Sequence, residues 1–196
     1  SRIGGRISVL TLLLSGVALS ALLTAVNSFI LIFRTHDMAK VVFWLMGGLT
    51  SASWQQFVII TPLISVLLII LAFYMRELNI ISLGDERASQ LGVKVEYTRG
   101  ILLVLASLVA AAAVSVSGII GFVGLVTPHI MRIFVGPDHK ILYPTSAVAG
   151  GIVLLMSDTI ARTVLTPREI PVGIITSIIG VPFFLYLLVK SRKEVF

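Results

Sequence analysis

The sequence has no cysteine among its 196 residues, which excludes disulfide bonds and thiolate metal sites and leaves the redox compartment open. Charged residues are scarce at 12%, and only nine residues are acidic. The phosphate-binding pattern GxxxxGK[ST] is also missing, so this chain by itself cannot bind and hydrolyse ATP in the usual way. No order of serine, histidine and aspartate indicates a shared nucleophilic site. We therefore expect no catalytic residues, and a chain that is not an enzyme.

Apolar residues dominate the composition of the chain. They make up 57% of the chain, and the mean hydropathy is +1.07, far from that of a soluble domain. The apolar runs are long enough to cross a bilayer as helices, and they fall at about 7–33, 55–75, 101–117, 119–135, 144–162 and 171–189. We predict an all-α polytopic membrane bundle of six spans, with residues 1–196 forming a single membrane domain.

The basic residues predict an orientation for these spans. With the N-terminus inside, eleven of the fifteen lysines and arginines fall on the cytoplasmic side: Arg2, Arg6, Arg76, Arg87, Lys94, Arg99, Arg132, Lys140, Lys190, Arg192 and Lys193. The outer side then has Arg34, Lys40, Arg162 and Arg168. By the positive-inside rule, both termini of the segment are cytoplasmic. The same rule explains the net charge of +6 better than nucleic-acid binding does.

The segment Ser117–Arg132, SGIIGFVGLVTPHIMR, is more than a plain lipid anchor. Glycines recur at every third position, at Gly118, Gly121 and Gly124. Each costs a helix about 1 kcal/mol relative to alanine, so the three predict close backbone approach to a neighbouring helix. The proline and charged residue near the end of the segment indicate an irregular, functional stretch within a membrane bundle.

Five motifs in order resemble those of one transporter family. They are Phe43–Gly48 (FWLMGG), Leu83–Ala88 with Leu91-Gly92 (LGDERA and LG), Gly121–Arg132, Asp158–Arg162 and Ile170–Gly173 (IPVG). Together they resemble the integral-membrane permeases of ABC importers for iron-siderophores, haem, cobalamin and related metal chelates. Members of that family usually have ten spans. The resemblance implies that this chain corresponds to the last six and lacks the first four.

The loop between Arg76 and Arg99 has a short charged segment between two glycines. Ser82 followed by Asp85 predicts a helix start of the capping-box kind, and the apolar residues of the segment are available for packing. The spacing of these residues is equally consistent with a solvated connector and with an element that docks on a partner. The resemblance implies coupling helices at about 80–95 that contact the ATPase subunits, through Leu83, Gly84, Asp85, Glu86, Arg87, Ala88, Leu91 and Gly92.

Near the end of the fifth run, Asp158 and Arg162 stand four residues apart and can pair along a helix. For Asp158 we predict a structural ion pair. The resemblance implies that Arg162 contacts an acidic residue of a substrate-binding protein, with Arg168 assisting from the adjacent outer loop.

The first apolar run has small and polar residues on one helical face, at Gly16, Ser20, Thr24 and Asn27. Such a stripe is typical of helix packing in membranes. The resemblance instead implies that it lines the translocation pathway, with Ser8 and Thr11 near the inner gate.

The three histidines indicate no metal site. His129 lies three residues from Arg132 in the glycine-rich segment, and we expect His139 to be exposed to solvent in a turn. No cluster of ligands accompanies either residue. We expect no metal and no cofactor in this chain, and the resemblance implies that ATP and Mg²⁺ are bound by the partner ATPase subunits.

The resemblance implies a multi-pass permease subunit of the cell membrane. It would act in contact with lipid, as a homodimer with two cytoplasmic ATP-binding subunits and an extracytoplasmic substrate-binding protein. The expected cargo is an iron-siderophore, with haem, cobalamin, or molybdate or tungstate as alternatives. An ion-coupled secondary transporter is the rival from another class, and a membrane scaffold is a third interpretation.

Overall fold

A computed structural model describes residues 2–3, 6–7, 9–33, 38–50, 52–165 and 169–193. The elements, in chain order, are β1 (Arg2–Ile3), β2 (Arg6–Ile7), α1 (Val9–Ile32), α2 (Met38–Leu45), α3 (Trp54–Phe73), α4 (Met75–Ile81), α5 (Asp85–Gln90), α6 (Val95–Ser117), α7 (Val123–Val135), α8 (His139–Thr163) and α9 (Val172–Lys193). Apart from the two-residue strands, every regular element of the described residues is helical.

Four of these helices are long and apolar enough to cross a membrane: Leu10–Ile32, Trp54–Phe73, Val95–Ser117 and His139–Thr163. Two further apolar helices are shorter, Val123–Val135 and Val172–Leu187. The prediction of an all-α polytopic membrane fold is thus confirmed. The run at 119–135 differs in detail, because only 13 of its residues are helical in α7. Such a helix is about 20 Å long, less than the hydrocarbon thickness of about 30 Å.

The chain divides into two compact units, Ser1–Val42 and Phe43–Phe196. In the first unit, β1 and β2 pair antiparallel, with Arg2 opposite Ile7 and Ile3 opposite Arg6. This short ribbon takes residues from the start of the first apolar run, so α1 begins at Val9.

In the second unit, α3 packs against α6, and α7 packs against both α8 and α9. The short helix α4 continues beyond α3 and packs against α8. Most large apolar side chains of the described residues remain exposed, as expected of helices whose outer faces meet lipid or other membrane segments. The start of α3 has a capping box, in which Ser53 and Gln56 exchange hydrogen bonds between side chain and backbone.

Two non-helical segments of this unit meet the start of α9 at what we call the glycine junction, formed by residues 46–48, 118–122 and 171–173. The amide of Gly48 donates to the carbonyl of Ser117 at 2.8 Å, and the amide of Gly173 donates to the carbonyl of Gly47 at 3.3 Å. Non-helical backbone at membrane depth requires such partners, because lipid offers none. Residues 46–48 are thus hydrogen-bonded to the end of α6 on one side and to the start of α9 on the other.

Close approach at the junction depends on glycine at specific positions. Gly118 ends α6 with φ +65, and a Cβ there would overlap the carbonyl oxygen of Trp44. The prediction of close approach is thus confirmed for Gly118. Among the described residues, a Cβ on Gly121 or Gly124 would meet nothing within 4 Å, so close approach at these two glycines stays a prediction. The three-residue spacing is misleading because these glycines do not lie on one continuous helix.

Two further contacts complete the junction. A Cβ on Gly173 would overlap the carbonyl oxygen of Met46, and a Cβ on Gly180 would overlap the side chain of Phe122. Phe122 itself has φ +66, the one positive φ of a non-glycine residue in the described part of the chain. A bulky residue in that conformation is costly, so the surrounding contacts must hold it there.

Substitution of Gly118 by alanine is expected to destabilise the protein by at least about 2 kcal/mol, because it adds left-handed strain to a backbone overlap. The thermal unfolding temperature in detergent measures this. Gly124→Ala is the matched control, since its Cβ meets open space in a helix and alanine favours helix there. Equal unfolding temperatures for the two variants would contradict the proposed packing role of Gly118.

Candidate functional site

The loop between α4 and α6 contains α5 as a short, well-defined helix. Gly84 precedes it at φ +106, and Gly92 follows it at φ +83. The amide of Gly92 donates to the carbonyl of Ser89, and the amide of Val93 donates to that of Ala88, both at 3.0 Å. These two bonds are the Schellman pattern that ends a helix at a left-handed glycine. The prediction of a short helix bracketed by Gly84 and Gly92 agrees with this geometry.

A bidentate ion pair fixes α5 against α6. The two carboxylate oxygens of Asp85 accept from the two terminal guanidinium nitrogens of Arg99, at 2.7 and 2.8 Å. The predicted capping box at Ser82 is wrong, because Gly84 is the N-cap and no side chain caps the helix. Ser82 donates instead to the carbonyl of Asn79, and the carboxylate of Asp85 is engaged by Arg99.

The exposed side of this loop is both apolar and charged. Ala88 is fully buried, whereas Leu83 and Leu91 are 56% and 63% exposed and so remain available for packing. Tyr97, at the start of α6, is 67% exposed. Glu86 and Arg87 are exposed as well. We call this surface, formed by Leu83, Glu86, Arg87, Leu91 and Tyr97, the loop face.

A second set of polar residues lies near the C-terminal end of α8. The Nε of Arg162 donates to Asp158 Oδ2 at 2.8 Å, which is the pairing that their spacing predicts. Asp158 is only 17% exposed, while Arg162 is 43% exposed. The arginine therefore remains accessible beside its carboxylate partner.

The segment that follows α8 returns to the same end. The amide of Ile170 donates to the carbonyl of Ala161 at 3.2 Å, and Thr50 donates to Glu169 Oε2 at 2.7 Å. These bonds place Arg162, Glu169 and the start of α3 at one end of the second unit. Arg168, which we predicted to assist Arg162, lies outside the described residues.

The predicted pathway stripe lies on α1, in the first unit. Thr24 donates to the carbonyl of Ser20 at 2.8 Å, and a Cβ on Gly16 would meet nothing within 4 Å. Ser20, Thr24 and Asn27 are exposed on α1, as is Gly16. Thr11, predicted near a gate, is also on this helix, whereas Ser8 is outside the part of the chain that the structure describes. The pathway and gate roles stay predictions.

Between α4 and α8 there is a polar network that the sequence did not indicate. Asn79 donates to Asp138 Oδ1 at 2.6 Å, and its own Oδ1 accepts from the backbone amide of His139 at 2.9 Å. The hydrogen bonds from the Lys140 amide and from Asn79 hold the pKa of the Asp138 carboxyl below its usual value. The carboxylate thus caps α8 and ties α4 to it.

His139 differs from our expectation of an exposed turn residue. It begins α8, is half-buried, and its Nδ1 lies 2.7 Å from Asn79 Oδ1. Asn79 is 60 residues away in the sequence, so no local pattern signals this contact.

Nothing in the described residues brings together three His, Cys, Asp or Glu side chains in the way that a metal ion requires. The polar groups of this structure are instead distributed between the two ends of α8. The loop face is held near one end, and Arg162 with Asp158 lies at the other.

Comparison with known proteins agrees with this architecture. A permease protein of the cobalamin import system of Halobacterium salinarum is 48% identical over 94% of this chain and 49% of its own length. A permease protein of the hemin transport system of Yersinia pestis is 41% identical over 93% of this chain and 55% of its own. An iron(3+)-hydroxamate import system permease protein of Bacillus subtilis is 40% identical over 95% of this chain and 56% of its own length. The chain thus spans about half the length of these relatives.

A solved structure gives the same result for the fold. It is described as an inward-facing conformation of a metal-chelate type ABC transporter, and it matches with a TM-score of 0.85 at 34% identity. The match covers 93% of this chain and 60% of that one. The family model of the FecCD transport family matches residues 1–190, and the chain therefore belongs to the FecCD transport family.

Proposed function

We propose that this chain acts within the permease subunit of a binding-protein-dependent ABC importer that moves a metal chelate across the cell membrane. ATP would be hydrolysed on partner subunits, and the permease would contribute passage and coupling without catalysing a reaction itself. The observation that carries the proposal is the loop face, a rigidly held and exposed surface in a chain whose family transports.

The loop face has the composition of a docking surface. Leu83, Leu91 and Tyr97 offer apolar area with a charged pair beside it, and a partner that covers them gains from apolar burial. Two left-handed glycines and the Asp85–Arg99 pair hold α5 in place. A displacement of a partner ATPase would therefore be transmitted to α4 and α6 instead of being absorbed by a flexible loop.

The end with Arg162 suits the substrate-binding protein. Asp158 holds the guanidinium by its Nε, and the arginine side chain is 43% exposed, so an acidic residue of a binding protein could approach it. Arg168, next in the same segment, would assist. This assignment places the loop face on the cytoplasmic side and both ends of the segment there too, as the distribution of basic residues predicts.

The remaining elements of the proposal concern assembly. Two copies of the permease would form a homodimer with two ATP-binding subunits, and the exposed apolar faces of the helices would meet lipid or the other membrane segments. The polar stripe of α1, from Gly16 to Asn27, would line the pathway, with Ser8 and Thr11 near its inner gate. The bracketing glycines and the loop face support a coupling element at about 80–95.

The cargo is proposed as a metal chelate, with an iron-siderophore first. Relatives are named for import of cobalamin, hemin and iron(3+)-hydroxamate, so these chelates are the competitors to test. Molybdate or tungstate would use the same mechanism with an anionic cargo.

The function is tested by ATP-dependent uptake in liposomes that contain the complete permease, its ATPase and its binding protein. Labelled iron-siderophore should accumulate with ATP, and unlabelled iron chelates should suppress it. Uptake that follows an ion gradient and ignores ATP would contradict the proposal and favour a secondary transporter. ATP-dependent uptake of cobalamin or haem in place of iron would keep the mechanism and change the cargo.

The loop face is tested with the double variant Leu83→Ser and Leu91→Ser. Loss of two exposed apolar contacts should weaken binding of the ATPase subunit about tenfold or more, and the coupling of ATP hydrolysis to uptake should fall with it. Co-purification and ATPase stimulation measure these effects. Leu165→Ser is the matched control, because Leu165 is 56% exposed but follows the far end of α8. Equal ATPase retention in both proteins would exclude the loop face as the docking surface.

Docking of the binding protein is tested with Arg162→Glu. Reversal of this charge should slow association about tenfold and reduce its dependence on salt, since interfacial charge pairs act mainly on the association rate and register. Surface plasmon resonance of the binding protein on the reconstituted transporter gives both quantities. Lys190→Glu makes the same charge change at the predicted cytoplasmic end of α9. An association rate equal to that of Lys190→Glu would remove Arg162 from the docking site.

A further inference from the structure

We infer that a basic cavity between α4, α7 and α8 binds a phosphate group, and that this phosphate is the headgroup of an anionic phospholipid. The cavity has a volume of about 370 Å³. It lies where α7 ends and α8 begins, at the same end of the second unit as the Asn79–Asp138 network. This inference goes beyond transport, and its test reads lipid binding directly.

The cavity combines one cationic group with imidazole and apolar walls. Arg132 supplies the positive charge, His129 and His139 supply ring nitrogens, and Met75, Leu78 and Leu142 supply apolar surface. Burial and the nearby Arg132 guanidinium lower the pKa of His139. None of the residues that line it is acidic. A phosphate needs donors and positive charge, while the glycerol and the first acyl carbons of a lipid need apolar contact. One cavity here offers both.

Neither of the neighbouring acidic groups lines the cavity. Asp138 keeps its negative charge and accepts hydrogen bonds from Asn79 and from the amide of Lys140. Glu77 is on α4 but is not among the residues that line the cavity. The ring of His129 packs edge-on to Phe183 of α9 at a centroid distance of 6.0 Å, which fixes its orientation. Arg132 is exposed, so its guanidinium can reach a ligand at the mouth.

An unused polar atom points to a ligand. The hydroxyl oxygen of Ser146 is buried, has no hydrogen-bond partner among the described residues, and belongs to the lining of this cavity. Tyr143 is different, because its hydroxyl already donates to the carbonyl of Leu68 at 3.0 Å. A buried hydroxyl without a partner costs about 1–3 kcal/mol, and a phosphate oxygen in the cavity would satisfy it.

Free phosphate would present the same oxygens, but the position favours a lipid. The cavity lies between the C-terminal end of α7 and the N-terminal end of α8. In the orientation given under the proposed function, on which this step rests, that end is cytoplasmic, where basic pockets between helices suit anionic headgroups. The acyl chains would continue along the exposed apolar side chains of α7, such as Ile133 and Phe134.

The test titrates the purified complete transporter in detergent with phosphatidylglycerol, phosphatidylcholine or inorganic phosphate, and counts bound ligand by native mass spectrometry. We expect phosphatidylglycerol to be retained about tenfold more than phosphatidylcholine, and Arg132→Gln to abolish this preference, because one charge-assisted hydrogen bond is worth a factor of this size. Lys140→Gln is the matched control. It removes the same charge from an exposed residue nearby that does not line the cavity.

Each outcome decides the proposal. Retention of phosphatidylglycerol that falls in Arg132→Gln but not in Lys140→Gln supports it. Equal loss in both variants, or equal retention of the two lipids, overturns it in favour of general charge attraction. Protection from unfolding by inorganic phosphate alone would assign the cavity to a soluble phosphate and overturn the lipid. Ser146→Ala provides a second variant if Arg132→Gln does not fold, and unchanged lipid retention in it would also count against the site.

Discussion

The second unit depends on one constraint, which is that every backbone amide and carbonyl within the bilayer needs a partner in the protein. Helices satisfy it internally, but the chain leaves helical geometry between Ser117 and Val123. At the glycine junction the carbonyl of Ser117 accepts from the amide of Gly48, and the carbonyl of Gly47 accepts from the amide of Gly173. Because the three segments approach to backbone contact, glycine is required at Gly118 and Gly173, where any side chain would overlap a carbonyl oxygen. The short length of α7 is a consequence of the same break.

Much of this could be predicted from the sequence, since the information was local. Long apolar runs gave the spans, the glycines on either side of α5 gave its limits, and the spacing of Asp158 and Arg162 gave their ion pair. A local pattern was misleading where a residue from another helix competes for the same side chain. Ser82 and Asp85 have the spacing of a capping box, but Asp85 pairs with Arg99 of α6 instead. The sequence offered Leu83, Ala88 and Leu91 alike for packing, and only the structure shows that Ala88 is buried while the two leucines are exposed.

The remaining features depend on contacts between distant residues and were not predictable. Asn79 and Asp138 are 59 residues apart, and Thr50 and Glu169 are 119 apart. A regular spacing of Gly118, Gly121 and Gly124 cannot reveal that the helix is interrupted among them. The basic cavity was missed for the same reason, because His129 and His139 were each judged by their own neighbours. Only the packing of α7 on α8 brings them to one surface.

The length of α8 has a mechanical consequence. Its 25 residues connect the Asn79–Asp138 network at one end to Arg162 at the other. A helix of this size is about 37 Å long, which exceeds the hydrocarbon thickness of about 30 Å. A rigid tilt of about 5° around one end would displace the other by about 3 Å, the length of one hydrogen bond. A movement of that size at the Asn79 end would be enough to make or break the contacts of a single arginine at the other.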